Sequence, residues 1–372
     1  MIKKLLFTLL ILISFNGLAQ NISLSDKAKV SILTCGLGPE SYAMYGHTGI
    51  RIQDNIKGID VVFNYGAFDF STPNFIGRFI KGDLQYFVTN GSFIDFYYNY
   101  QAENREIIEQ ELALTPIQIS TLLQELNHSV YSDERYYTYK FIDRNCTTMV
   151  VDKINGILGK EYIKSDTSYQ SYREILYPYM TDFYMKLGIQ LIFGAKVDEP
   201  ATRLFLPYEF KEAISYTKVN GNAIEKSNKR ILEVSKPEVP FNWMNSIYSL
   251  IATLLALVLV NKKWIQISYF VFAGILGLFF SLVGCYSLHE EVLWNYNILL
   301  FNPLLLVFAW YLKKGIKDRI VLLGQIILAM LLLYLAYMTT KIHLEIVWPF
   351  IALHFYWIGK IVLQIKKSNL TR

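Results

Sequence analysis

Tyr45-Gly46-His47-Thr48-Gly49-Ile50-Arg51-Ile52 and, beyond a turn at 53–58, Ile59-Asp60-Val61-Val62-Phe63-Asn64-Tyr65 decide the fold of the amino-terminal part of this chain. Both runs alternate with a period of two, so each reads as a strand, and Asp54-Asn55 and Lys57-Gly58 supply the turn of a hairpin. His47, Gly49 and Arg51 share one face, and Thr48, Ile50 and Ile52 share the other. Pairing Ile52 with Ile59 sets Arg51 against Asp60 and Ile50 against Val61, matching charge with charge and apolar with apolar. That register places Asn64 across from His47, in reach of the imidazole and able to hold its tautomer.

A second string, Arg144-Asn145-Cys146-Thr147-Thr148, stands between a run of strand formers at 136–142 and a helical pattern that turns Val150, Val151 and Ile154 inward. Cys146 therefore falls in the first turn of a helix. Backbone N–H groups and the helix dipole there favour thiolate over thiol and can receive an oxyanion. A strand histidine and a helix-opening cysteine are the parts of a thiol acyl-transfer enzyme. Cys146 is the expected nucleophile, His47 the base and Asn64 the orienting third member, with Tyr45, Arg51, Tyr65, Arg144, Asn145 and Thr147 as surrounding substrate contacts.

Other readings compete for the same residues. Cys146 can pair with Cys35 in an oxidising compartment, although Cys35 also reads as a small buried residue ending a strand, and Arg51 with Asp60 as a structural pair. A zinc site from Cys35, His47 and Cys146 lacks any CxxC or HxxxH spacing, so neither metal nor cofactor is expected. Thr115-Pro116 opens an amphipathic helix running towards His128. The aromatic stretch 74–100 reads as a pair of core helices, or as an acyl pocket or membrane-dipping segment.

The 372 residues are 53% hydrophobic with mean hydropathy +0.26, which excludes an ordinary soluble protein. A charged start, a short apolar run and small residues before Gln20 read as a signal peptide over 1–19, with an uncleaved anchor as the alternative. Residues 20–240 form an exported α+β domain, and 241–372 an all-α transmembrane bundle of about five helices, at 243–260, 264–284, 294–312, 320–338 and 346–363. Lys262, Lys263, Lys313, Lys314, Lys317, Arg319, Lys366, Lys367 and Arg372 mark the cytoplasmic side, leaving the 20–240 domain outside. The net charge of +5 is this topological signal and excludes nucleic acid as a partner. His289, Asn295 and Asn297, followed by Asn302-Pro303, lie at the outer surface of the bundle and are expected to position substrate.

These strings together, with Cys35-Gly36-Leu37-Gly38-Pro39, Phe63-Asn64-Tyr65-Gly66-Ala67-Phe68-Asp69-Phe70, Phe205-Leu206-Pro207 and Asn295-Tyr296-Asn297, make a chain that resembles the Lnb family of lipoprotein N-acyltransferases. More distantly, histidine before cysteine in chain order is similar to the permuted papain-like fold of NlpC type. The resemblance implies Cys146 as nucleophile and His47 as base, a phospholipid acyl donor, a diacylated apolipoprotein acceptor, and a bacterial inner membrane with the catalytic domain in the periplasm. The rival functions are a periplasmic Cys-His hydrolase, whether peptidoglycan amidase, peptidase or phospholipase, and a scaffold that has lost catalysis.

Overall fold

The computed structural model describes residues 23–166, 169–235 and 240–370; the expected signal segment at 1–19 lies outside them. The amino-terminal part is an α+β domain built on a seven-stranded antiparallel sheet in the order β6-β4-β3-β2-β1-β5-β9. Its strands are β1 (Lys29–Cys35), β2 (His47–Asp54), β3 (Ile59–Ala67), β4 (Gln85–Ser92), β5 (Ile107–Leu112), β6 (Tyr136–Thr138) and β9 (Glu225–Leu232); β7 (Lys218–Val219) and β8 (Asn222–Ala223) form a separate ribbon. Ile32, Ile50, Ile52, Phe63 and Val88 pack one face against α3 (Pro116–Tyr131), α4 (Cys146–Leu158) and α7 (Pro207–Tyr216). Leu33, Cys35, Val62 and Ile107 meet Phe96 of α2 (Phe93–Ala102) on the other. The stretch 74–100 is thus α1 (Phe75–Lys81), β4 and α2, with a sheet strand where a helix pair was expected. Its aromatic residues are strand formers as well as helix-core residues, and pairing with β3 decides between them.

The hairpin differs in register from the sequence reading by two residues. Asp54 pairs with Ile59, Gln53 with Asp60 and Gly49 with Asn64. Asp54 closes the turn in this register: its buried carboxylate accepts from the backbone of Ser25, Ile56 and Lys57 and from the Ser25 hydroxyl. Those bonds close the turn over Asn55, Ile56, Lys57 and Gly58 alone and extend both strands. A shift of two preserves the pleat, so every side chain keeps its expected face.

Between domain and bundle lie α5 (Tyr172–Leu176) and α6 (Phe183–Ile192), the latter joining the core of the carboxy-terminal helices through Leu187 and Leu191. Four helices there are long and apolar enough to cross a membrane: Lys263–Tyr286, Glu290–Lys314, Lys317–Met338 and Leu344–Asn369. The first contains α9 (Lys263–Tyr286), the second α10 (Leu304–Lys314), the third α11 (Lys317–Met338) and the fourth α12 (Leu344–Leu370). The first of the five expected spans is α8 (Ile247–Val260), only 14 residues long. It starts against the domain, where Tyr184 Oη meets Ser249 Oγ at 2.7 Å, and its cap Asn261 accepts from Lys360 Nζ at 3.3 Å, late in α12. α8 therefore runs from the domain towards the far ends of the long helices despite its length.

Candidate active site

His47 opens β2, Cys35 ends β1 beside it and Asn64 lies near the end of β3, so the site forms at one end of the sheet. Gly46 turns the chain into β2 with φ +82°, and a Cβ there would stand 2.6 Å from the Cys35 carbonyl oxygen, a position closed to other residues. Asn64 pairs with Gly49 yet reaches His47 diagonally, Oδ1 to Nε2 at 3.1 Å. Gly49 makes the room: a Cβ on it would lie 3.3 Å from Asn64 Oδ1.

Cys146 is the first residue of α4. Asn145 caps the helix, its Oδ1 accepting from the N–H groups of Thr147 and Thr148, while the Thr148 hydroxyl accepts from the Asn145 N–H to complete a capping box. The Asn145 amide donates to the carbonyls of Phe141 and Phe205, tying the 205–207 motif to the site. Burial would push the Cys146 thiol up; hydrogen bonding to and the charge of His47, the Thr48 N–H and the Thr147 hydroxyl outweigh it and hold the thiol below its ordinary value. Thr147 in turn meets Thr48, Oγ1 to Oγ1 at 3.0 Å, locking helix to strand.

The three cysteines are all free, so Cys35 and Cys146 form no disulfide. Cys35 is fully buried beside Tyr100, and burial drives its thiol up to about 12. Among the described residues no cluster of three His, Cys, Asp or Glu is placed to hold a metal ion.

The N–H groups of Thr147 and Thr148 belong to the cap, which corrects their expected availability to an oxyanion. Two further residues stand beside Cys146. Gly66, at φ +92°, brings the backbone so close that a Cβ there would touch that of Cys146 at 3.5 Å. Tyr137 has a buried hydroxyl with no hydrogen-bond partner among the described residues; it faces the Gly66 N–H without meeting hydrogen-bond geometry. Burial first, then the nearby Cys146, keeps that phenol protonated. Only the β-bulge between Asn64 and Ala67 brings Gly66 there, and a bulge has no clear sequence signature.

The remaining expected contacts divide. Tyr45 packs edge-on to Phe141 at 5.4 Å, with its hydroxyl buried and unpartnered among the described residues. Arg144 is exposed above the Tyr137 ring. Arg51 stays within the sheet, held by Asp60 at 2.7 Å and Glu109 at 3.0 Å and laid on the Phe93 ring, so its guanidinium is fully engaged. Tyr65 is buried in the core and donates to Ser129. His289 meets the Phe79 carbonyl through Nε2 at 2.8 Å. Asn295 and Asn297 are buried: their amides donate to the Leu191 carbonyl at 2.8 and 3.0 Å, and the Tyr334 hydroxyl donates to Asn297 Oδ1. They fasten the bundle to the end of α6. Beside them, Asp198 binds Arg173 and Lys341 and accepts from the Tyr296 hydroxyl. His354 bonds the Tyr269 hydroxyl inside the bundle.

No curated protein and no solved structure matches the chain. Residues 17–177 match the family described as Lnb N-terminal periplasmic domain, a span that holds Cys35, His47, Asn64 and Cys146. With four helices long and apolar enough to cross a membrane among the described residues that follow it, the chain is a membrane protein that carries an Lnb N-terminal periplasmic domain.

Proposed function

We propose that the chain is a lipoprotein N-acyltransferase of the bacterial inner membrane, working by thioester exchange at Cys146. The observation that carries this reading is the lowered Cys146 thiol at a helix start, facing a histidine whose other contact is Asn64. His47 takes the thiol proton, and the sulfur attacks an ester carbonyl of a membrane phospholipid. The ester C–O bond breaks, His47 returns the proton to the leaving alkoxide, and a lysophospholipid departs. The α-amine of a diacylglyceryl-cysteine then attacks the thioester carbonyl, the C–S bond breaks, and the amine proton passes to His47 as the thiolate is restored. With an α-amine pKa of roughly 7.7–8.0, a useful fraction of the acceptor is neutral at working pH. Each oxyanion is assigned to the Cys146 N–H and to the protonated Tyr137 hydroxyl, which is buried and unpartnered among the described residues.

Docking of the sheet domain onto the helices supports lipid substrates over soluble ones, because both then reach the sulfur from the bilayer. The test is mass spectrometry of lipoprotein amino-terminal peptides from cells carrying the unaltered chain or Cys146→Ala. Loss of one N-linked fatty acid is expected. Unchanged triacylation in the variant overturns the reading, and free fatty acid released without an amine acceptor favours the phospholipase.

A further inference from the structure

α1 (Phe75–Lys81) has no buried residue: Ile76 is 72% exposed, and Phe79 and Ile80 also face outward. Only Phe75 packs, partly buried, against the core of the sheet domain, and a short helix with so little buried gains little from packing. Its position explains it. The carbonyls of Phe79, Ile80 and Lys81 at its end are bonded by His289 Nε2, Ser287 Oγ and the Leu288 N–H at 2.8, 2.9 and 2.7 Å. Those three residues directly follow α9, a membrane-spanning helix ending at Tyr286. α1 is thereby fixed at the level where α9 leaves the bilayer. Leu282 and Tyr286 near the end of α9, and Leu288 in the segment bonded to α1, are exposed apolar side chains as well. Trp294, with 86% of its surface exposed, stands near the start of the next membrane-crossing segment, Glu290–Lys314, the usual level of an interfacial tryptophan. Arg78 and Lys81 share Asp83 and leave one positive charge beside the apolar side chains.

From this surface a file of aromatic rings leads inward. Phe70 is exposed and lies 5.1 Å from Phe75 and 4.9 Å from Phe68; Phe68 meets Tyr86 at 5.3 Å, and Tyr86 stacks on Tyr139 at 4.4 Å. Tyr139 lies within electrostatic reach of Cys146, and Phe68 packs in the same apolar cluster as Cys146.

We propose that α1 and Phe70 are immersed in the periplasmic leaflet and bind glycerophospholipid there, and that the donor's acyl chain passes along Phe68, Tyr86 and Tyr139 to Cys146. The second half rests on the reading of Cys146 as acyl acceptor; the first does not. The hydrogen bonds that fasten α1 to the end of a membrane-spanning helix make phospholipid the occupant, and the net positive charge at α1 suits its phosphate.

The test uses the full chain in vesicles of phosphatidylethanolamine and phosphatidylglycerol. A spin label is placed by Ile76→Cys in a Cys146→Ala, Cys285→Ser background, and by Ile56→Cys on the β2–β3 turn for comparison. Collision with dissolved oxygen is expected to exceed collision with a nickel chelate at position 76, and the reverse at position 56. Equal behaviour at the two positions overturns the immersion. In the chain that keeps Cys146, Ile76→Glu is expected to raise the phospholipid concentration giving half-maximal thioester by about tenfold with the maximal rate unchanged, the scale of losing one apolar side chain from the leaflet. An unchanged half-saturation overturns the entry path. If the unaltered chain forms no thioester, the acyltransferase reading and the entry path both fall, and the label alone decides immersion.

Discussion

Cys35 and Cys146 sit at the same end of the sheet, close enough to influence one another's charge, yet their surroundings are opposite. Cys35 ends a strand in apolar packing, and its thiol is pushed up to about 12 by burial. Cys146 is also desolvated, but His47, the Thr48 N–H and the Thr147 hydroxyl reverse the balance. Under the proposed function the reactive sulfur is the one at a helix start facing an imidazole, since the residue type alone does not confer reactivity. The sharpest way to break the comparison is to exchange the losses. Cys146→Ala should lower N-acylation by about a thousandfold or more, the scale for removing a nucleophile. Cys35→Ala should leave turnover within a few-fold of the unaltered chain and act on stability instead, by about 1–2 kcal/mol as for an ordinary core truncation. Equal loss of activity in the two variants, measured on membranes with equal protein content, would remove the distinction.

The next effect in size belongs to His47. In a Cys285→Ser background, alkylation by iodoacetamide under native conditions should modify Cys146 and spare Cys35. The lowered thiol means that the rate rises with a midpoint below the ordinary value of 9.0. His47→Ala removes the two largest causes that oppose burial, so the rise should move to higher pH, and turnover should fall by about a hundredfold to ten-thousandfold. An alkylation profile unmoved by His47→Ala would show that the helix alone governs the sulfur. Asn64→Ala should cost less, about tenfold to a hundredfold, since it lets the imidazole swing without removing it. Gly49→Ala should act in the same direction more weakly, by pressing a methyl against Asn64 Oδ1. Restored turnover in Asn64→Asp, with its pH profile displaced, would separate an orienting role from mere packing.

The two halves of this site were unequally legible. The start of α4 could be read because Asn145-Cys146-Thr147-Thr148 carries its own cap: a side-chain acceptor followed three residues later by a hydroxyl. The faces of β2 and β3 could be read because alternation fixes phase. Register could not, since Arg51 reaches Asp60 diagonally across the observed pairing as readily as directly across the expected one. Gly66 and Tyr137 gave no signal, one placed by a bulge and the other by an edge strand of three residues. Asn295 and Asn297 were visible as polar groups at membrane depth, but function and docking leave the same trace there, and their amides turn out to hold α6.

That register error leads to the smallest prediction, at Asp54. Its carboxyl is desolvated, which alone would raise it, but bonds from Ser25, Lys57 and Ile56 hold it below its ordinary value of 3.8. A carboxyl lowered in the folded state adds stability above its unfolded value and loses it as pH falls through the folded value. Asp54→Asn should therefore lower the unfolding temperature of the sheet domain at neutral pH, and the gap between variant and unaltered chain should close in acid below 3.8. His47 and Cys146 lie at the far end of the hairpin, so turnover at neutral pH should change little while the domain stays folded. If Asp54→Asn instead altered alkylation of Cys146 as strongly as Asn64→Ala, the turn would have to set the register of the catalytic end as well. Asn64 would then owe its place opposite Gly49 to Asp54 and not to packing along the strands.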